Sequence, residues 1–206
     1  MIFFIIEFIN ILIFSIIIFS LKRPTCRFVG VSPKEVFEVP MKGLHWEVQV
    51  VECPHRVPSV GYCVSEVKRK LKDEYLSLPG SEIAKLKAEN IDLFRIQKKK
   101  QFIFMGDTTF KVFELHPEVF EYPVIFIECT FLSEGEERTA LKRTHVHWNH
   151  LKPFVKQNPQ CLFMLIHFTL ALSEFDIEQF FDKETKQENI KNLGLWLDIG
   201  IKVYNK

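Results

Sequence analysis

The sequence predicts a mixed α/β domain over residues 24–206, and two observations carry that reading. Three short apolar runs, Gln101–Met105, Val124–Ile127 and Leu162–Ile166, are too continuous to be half-exposed and read as strands buried on both faces. Polar stretches of helical character, Glu136–Asn158 and Asp176–Phe181, lie between and after them, so helices alternate with strands around one sheet. A third regularity concerns function. The three runs stop at Asp107, Glu128 and His167, residues able to bind a metal or move a proton. Sites on sheets flanked by helices gather where strands end and loops begin, so one end of this sheet collects an Asp, a Glu and a His.

The chain starts differently. Met1 to Leu21 are almost wholly Ile, Phe and Leu, interrupted by Glu7, Asn10, Ser15 and Ser20 and closed by Lys22-Arg23-Pro24. This run over residues 1–23 is near the minimum length for a membrane-spanning helix. No basic residue precedes it and no small-residue cleavage site follows, which argues against a cleaved signal peptide. Two readings stay open: a membrane anchor through residues 1–21, and a low-complexity or mis-assigned start. If the run spans a membrane, the positive charges after it keep the rest of the chain on the cytoplasmic side.

The remaining elements follow in order. Trp46–Glu52 alternates like a strand and runs into Cys53-Pro54-His55, and Tyr62–Glu66 reads as a second short strand. Lys68–Tyr75 is a charged, basic stretch, and Gly80–Lys87 reads as a helix capped by Ser81. Asn189–Lys206 reads as a strand-like or irregular end.

Composition narrows the class. Apolar residues make up 47% and charged residues 26% of the 206, enough to bury a core. A net charge of +1 does not announce a nucleic-acid binder, although a local basic patch can sit on a neutral protein. The five cysteines are odd in number and show no Cys-x-x-Cys spacing, so they read as free buried thiols in a reducing compartment.

Among the polar residues, His55, Asp107 and His167 are nitrogen and oxygen donors that suit Zn²⁺ or Mn²⁺. Each has a plainer alternative: a lone His after a strand is commonly structural, and an Asp after Gly commonly makes an Asx turn. His145 and His147 are two apart, which separates them on a helix and aligns them on a strand.

Taken together, the polar residues fall into ordered strings. Pro54-His55-Arg56-Val57-Pro58-Ser59-Val60-Gly61-Tyr62 comes first, followed by Phe104-Met105-Gly106-Asp107-Thr108. Ile127-Glu128-Cys129-Thr130-Phe131-Leu132, Thr144-His145 and Leu165-Ile166-His167-Phe168-Thr169 complete the series. In order and approximate spacing these resemble five motifs of ribonuclease Z, the tRNA 3′-processing branch of the metallo-β-lactamase superfamily, over roughly residues 45–185. The resemblance implies a fold: part, the C-terminal half, of an αββα sandwich. It implies a chemistry: zinc-dependent, two-metal phosphodiester hydrolysis on precursor tRNA. It also implies roles. The residue matching His55 binds one zinc, that matching Asp107 bridges two, that matching His167 binds the other, and those matching Glu128 and His145 assist proton transfer near the leaving group.

The chain departs from that pattern in three places. The string His-x-His-x-Asp-His occurs nowhere in it. By the family pattern each zinc then keeps two protein ligands, shared Asp107 included, where a catalytic zinc takes about three plus an open position. The family's His-Phe-Ser continues to Arg-Tyr, whereas here His167-Phe168-Thr169 continues to Leu170-Ala171-Leu172. No recognisable tRNA-clamping arm stands out; Lys68–Lys72 and Lys98–Lys100 could meet a phosphate backbone or be solvated loop charges. The expectations are therefore specific. These 206 residues alone should hydrolyse weakly or not at all. The inner sheet face should need cover from a complementing N-terminal half or a second copy. The location should be cytoplasmic or nuclear, or membrane-anchored facing the cytoplasm, and the alternative function is a non-catalytic interaction module.

Overall fold

A computed structural model describes residues 2–3, 29–41, 44–198 and 200–204. The apolar run falls outside them except for Ile2 and Phe3, so its reading as an anchor lies outside the described residues, as does Cys26. Among the described residues no helix is long and apolar enough to cross a membrane.

A short antiparallel pair joins β1 (Ile2–Phe3) to β2 (Val29–Gly30). One eight-stranded sheet holds β3 (Val36–Met41), β4 (Leu44–Cys53), β5 (Ser59–Leu71) and β6 (Phe94–Met105), then β7 (Val124–Glu128), β8 (Leu162–Ile166), β9 (Leu193–Leu197) and β10 (Gly200–Tyr204). The strands lie side by side in sequence order. β3 to β6 form an antiparallel meander, β6 to β9 run parallel, and β10 returns antiparallel.

The switch to parallel pairing follows from what connects the strands, because a parallel neighbour needs a crossover. β6 reaches β7 through α2 (Val112–Leu115) and a 3-10 turn at Pro117–Glu121. β7 reaches β8 through α3 (Glu137–Arg143) and α4 (Trp148–Gln157). β8 reaches β9 through α5 (Glu174–Glu188), which opens on a capping box between Ser173 and Asp176. α1 (Gly80–Ala88) sits in the long connection between β5 and β6.

Strand alternation sorts the apolar residues onto two faces. Ile103, Met105, Ile125, Ile127, Phe163, Leu165, Leu193 and Leu195 are buried beneath α2, α4 and α5, which contribute Val112, Phe113, Trp148, Leu151, Val155, Ile177 and Phe181. The opposite face carries aromatic rings. Phe126 lies 6.0 Å from Phe102, 6.0 Å from Phe104 and 5.7 Å from Trp196.

The mixed α/β architecture is as expected from the sequence, but several elements differ. The short strand at Tyr62–Glu66 is the middle of the 13-residue β5, which takes in Lys68–Leu71. β6 likewise starts at Phe94 and includes Lys98–Lys100. The two basic stretches are thus paired strands rather than loops, with Lys68 opposite Gln97 and Lys70 opposite Arg95. Ser81 does not cap α1; Pro79 holds that position, with no side-chain hydrogen bond. Glu136–Asn158 is two helices, because Thr144 turns left-handed (φ 59°) and ends α3. The C-terminal end is a hairpin rather than irregular.

Candidate metal and proton-transfer site

Register places the polar strand ends together. β6, β7 and β8 are parallel, so Gly106-Asp107, Glu128 and His167 leave the same end of the sheet. β5 is antiparallel to β6 with Gly61 opposite Met105, which brings the β4–β5 loop and His55 to that end as well. Gly106 permits the close approach: a side chain there would meet Ser59 Oγ at 2.8 Å and the Val60 carbonyl oxygen at 3.0 Å. His145 arrives from the break between α3 and α4. All five residues singled out from the sequence converge here.

Glu128 anchors the cluster. It is 1% exposed and receives four hydrogen bonds. Oε1 accepts from the Thr108 amide at 2.7 Å and from His145 Nδ1 at 2.8 Å; Oε2 accepts from Thr130 Oγ1 at 2.6 Å and from the Val146 amide at 3.1 Å. A carboxylate offers about four lone-pair sites, and here each has a donor. That saturation explains how a charged group tolerates burial. It also removes Glu128 from the candidate metal donors, although its oxygens lie within 4.8 Å of donor atoms of His145 and His167.

The bonds to Glu128 fix two imidazoles. His145 donates from Nδ1, which leaves Nε2 free. The hydrogen bond that His145 donates to Glu128 raises its affinity for a second proton; burial opposes this, and the charges of Glu128 and Asp107 add to it. The Thr130 hydroxyl has one proton, and the 2.6 Å contact to the carboxylate is the stronger claim on it. Thr130 Oγ1, 3.0 Å from His167 Nδ1, then accepts from that ring, which leaves His167 Nε2 as a lone pair. His167 Nε2 faces Asp107 Oδ1 at 3.8 Å. The chain Glu128–Thr130–His167 is the kind of outer support that orients an imidazole for a metal.

The other donors are equally uncommitted. The Asp107 carboxylate accepts no hydrogen bond among the described residues, so no Asx turn explains it. His55 Nε2 is buried and has no hydrogen-bond partner among the described residues, and His55 Nδ1 makes only a long 3.4 Å contact with the Val57 amide. Donor atoms of His55, Asp107 and His145 lie within 4.8 Å of one another. A buried orphan nitrogen, an unbonded carboxylate and a lone-pair nitrogen on His167 fit a divalent metal of the zinc or manganese kind.

Two backbone positions carry strain at the site. His167 (φ 56°) and the β-branched Thr144 (φ 59°) adopt the left-handed region, at a cost of roughly 1–3 kcal/mol each. Thr144 Oγ1 donates to the Arg143 carbonyl at 2.6 Å and accepts from the Arg56 amide at 3.0 Å, which holds the turn.

The sequence did not assign roles to Thr130 or Thr144; both were visible only as letters inside longer strings. His147, the second His of the spaced pair, is structural. It is fully buried, its Nδ1 accepts from the Asn149 amide as the cap of α4, and its Nε2 donates to the Ser133 carbonyl. The free thiols Cys53, Cys63, Cys129 and Cys161 are buried, and burial pushes Cys53 and Cys63 up to about 12, so none supplies a ready thiolate.

The fold and site together describe a mixed-sheet α/β protein with a cluster of metal-type donors at the ends of its parallel strands. Comparison with known proteins gives this class a particular character: over part of their length, the chain is similar to ribonuclease Z proteins. It is 30% identical over 135 residues to tRNase Z TRZ1 of Arabidopsis thaliana, covering 64% of this chain and 48% of that protein. It is 33% identical over 98 residues to the chloroplastic tRNase Z TRZ2 of the same plant, covering 45% of this chain and 27% of the relative. It is 45% identical over 47 residues to the nuclear ribonuclease Z of Triticum aestivum, covering 23% and 27%. The chain therefore spans about half of the first relative's length and less of the others. No protein-family profile matches it.

Solved structures that share part of its arrangement include the metallo-β-lactamase fold protein YhfI of Bacillus subtilis (TM-score 0.46, 8% identity, 75% of this chain and 48% of that one). The short form of human tRNase Z gives a TM-score of 0.36 at 16% identity, covering 65% and 39%. Yeast PDE1 gives 0.46 at 12% identity, covering 80% and 46%.

Proposed function

We propose that this chain is part of a zinc-dependent phosphodiesterase of the ribonuclease Z type, acting on 3′-extended precursor tRNA. The observation that carries the reading is the hydrogen-bonded chain His145–Glu128–Thr130–His167, set beside the uncommitted donors His55 and Asp107. His55, Asp107 and His167 would hold the metal. When bound, the metal supplies Lewis acidity toward the phosphate and a water of lowered pKa.

The chain's own residues do the rest. Thr130 fixes the tautomer of His167. Buried Glu128 orients His145 and favours its protonated form, so that Nε2 carries a proton suited to an oxygen leaving group. The basic strands of β5 and β6 supply phosphate contacts away from the site. Lys70 and Lys99 are exposed there and unpaired among the described residues, whereas Lys68, Arg95 and Lys98 already hold carboxylates.

Hydrolysis by these 206 residues alone is expected to be weak, since three assigned donors shared between two metals leave each site short. Donors from a complementing segment carrying His-x-His-x-Asp-His would complete it. The test measures zinc content and cleavage of a 3′-extended precursor tRNA by the 206-residue chain, with and without such a segment, beside an Asp107→Asn control. Cleavage appearing only with the complement supports the proposal. Full activity of the isolated chain would overturn the incompleteness, and absence of both zinc binding and cleavage in the complemented protein would overturn the hydrolase itself.

A further inference from the structure

Beside His145 lies a cavity of about 390 Å³ lined by Arg56, Thr130, Phe131, Arg143 and His145. It lies within the range of small-ligand sites, and its lining is one-sided in charge: two guanidinium groups and no carboxylate. Both arginine side chains are exposed, and among the described residues neither is ion-paired. Elsewhere in the molecule basic side chains commonly find a partner, as Lys98 does with Glu47, Arg95 with Asp73 and Lys152 with Glu184 and Glu188.

The two arginines are also held in register with the site. They come from segments far apart in sequence, yet the Arg56 amide donates to Thr144 Oγ1 at 3.0 Å, and that same hydroxyl donates to the Arg143 carbonyl at 2.6 Å. Thr144 thus clamps both arginine-bearing segments one residue before His145. Its left-handed backbone turns the chain from α3 toward the cavity. Phe131, 6.4 Å from the His145 ring, walls the other side.

We propose that Arg56 and Arg143 form an anion clamp for a phosphate of the RNA strand next to the bond being cut, on the leaving-group side that His145 serves. Guanidinium forks match the geometry of a phosphate and keep their charge at any working pH. The proposal rests on the phosphodiesterase reading for its substrate but on the cavity alone for its anion. The clamp positions the strand so that its neighbouring bond meets His145; the two arginines are positioning residues.

The test uses the 206-residue chain carrying Asp107→Asn, so that no turnover competes with binding, and the RNA trinucleotide pUpUpU as probe. Titration calorimetry compares this parent with versions also carrying Arg143→Gln, Arg56→Lys or both changes. Each single change should weaken binding about tenfold, as expected when a charge-assisted hydrogen bond is removed. A trinucleotide with one uncharged methylphosphonate linkage should bind the parent more weakly and the double variant little differently. Arg143→Gln serves as the clean arm, because Arg56 adjoins His55. Unchanged affinity in Arg143→Gln, or no binding by the parent, overturns the clamp. If binding depends on the arginines while the complemented Asp107 protein cuts no precursor tRNA, the clamp stands and the nuclease reading falls.

Discussion

Glu128 Oε1 lies 2.8 Å from His145 Nδ1, and the same carboxylate is held by Thr108, Thr130 and Val146. One buried acid therefore ties the end of β7 to the loop after β6 and to the α3–α4 break. Glu128→Gln keeps the shape and removes the charge, so the His145 pKa should fall toward its ordinary value of 6.5 or below. An NMR titration of the His145 ring in metal-free protein reads this directly. An unchanged midpoint would mean that Glu128 is not what favours the protonated ring.

Thr130 links that acid to His167. Thr130→Val is nearly isosteric; it leaves His167 Nδ1 without a partner and takes from Glu128 Oε2 one of its two donors, the Val146 amide remaining. We expect metal affinity to fall about 10–100-fold, the usual effect of removing an outer-shell partner. Stability should fall by roughly 1–3 kcal/mol for the hydrogen bond lost to the buried Glu128 carboxylate. Thr130→Ser should restore most of both. Equal zinc affinity in the Val and Ser variants would show that the ring orientation owes nothing to the hydroxyl.

The sheet–helix core gives a plain stability prediction. Phe181 is fully buried and meets the Trp148 ring edge-on at 5.0 Å between centroids. Phe181→Ala should cost about 3–5 kcal/mol in denaturant unfolding. The site, built from other elements, should keep its geometry in the surviving folded fraction.

Acid stability should depend in part on α5. The hydrogen bond from Lys202, with that from Tyr204, holds Asp182 below the usual carboxylate range. A depressed folded pKa means that this contribution is present above the unfolded pKa and is lost as pH falls through the folded one. Asp182→Asn should therefore flatten the acid limb of the stability curve measured between about pH 5 and 2. An identical limb in the variant would remove Asp182 from the account.

For the basic β5–β6 strands, changing Lys70 and Lys99 to Gln should reduce the salt dependence of tRNA binding. Removing one lysine–phosphate pair lowers the slope by about 0.7–0.9. A slope that does not move would return these lysines to ordinary solvated charges.

How much of this was legible from the letters depends on the kind of interaction. Strand runs such as Leu162–Ile166 announce themselves because burial on both faces leaves no polar position. Asp107, Glu128 and His167 could be grouped because parallel strands end on one side. The length of β5 and β6 was hidden, because Lys68, Lys70 and Lys98–Lys100 break the apolar pattern where both ribbon faces meet water. The break at Thr144 was hidden too: a left-handed β-branched residue is held by hydrogen bonds to Arg143 and Arg56, one of them remote, and no local propensity encodes that. Glu128's fourfold saturation likewise arises only when segments 108, 130, 145 and 146 meet.

The sequential strand order has a kinetic meaning. In the eight-stranded sheet every strand pairs with its neighbours along the chain, so no strand waits for a distant partner to arrive. Closing short loops costs less entropy than threading long ones, and low contact order favours rapid folding. The antiparallel meander from β3 to β6 can therefore zip first by hairpin closure, with the parallel strands added one crossover at a time. On that order of assembly, the proton pair would form only when the α3–α4 break docks His145 onto a Glu128 placed by β7.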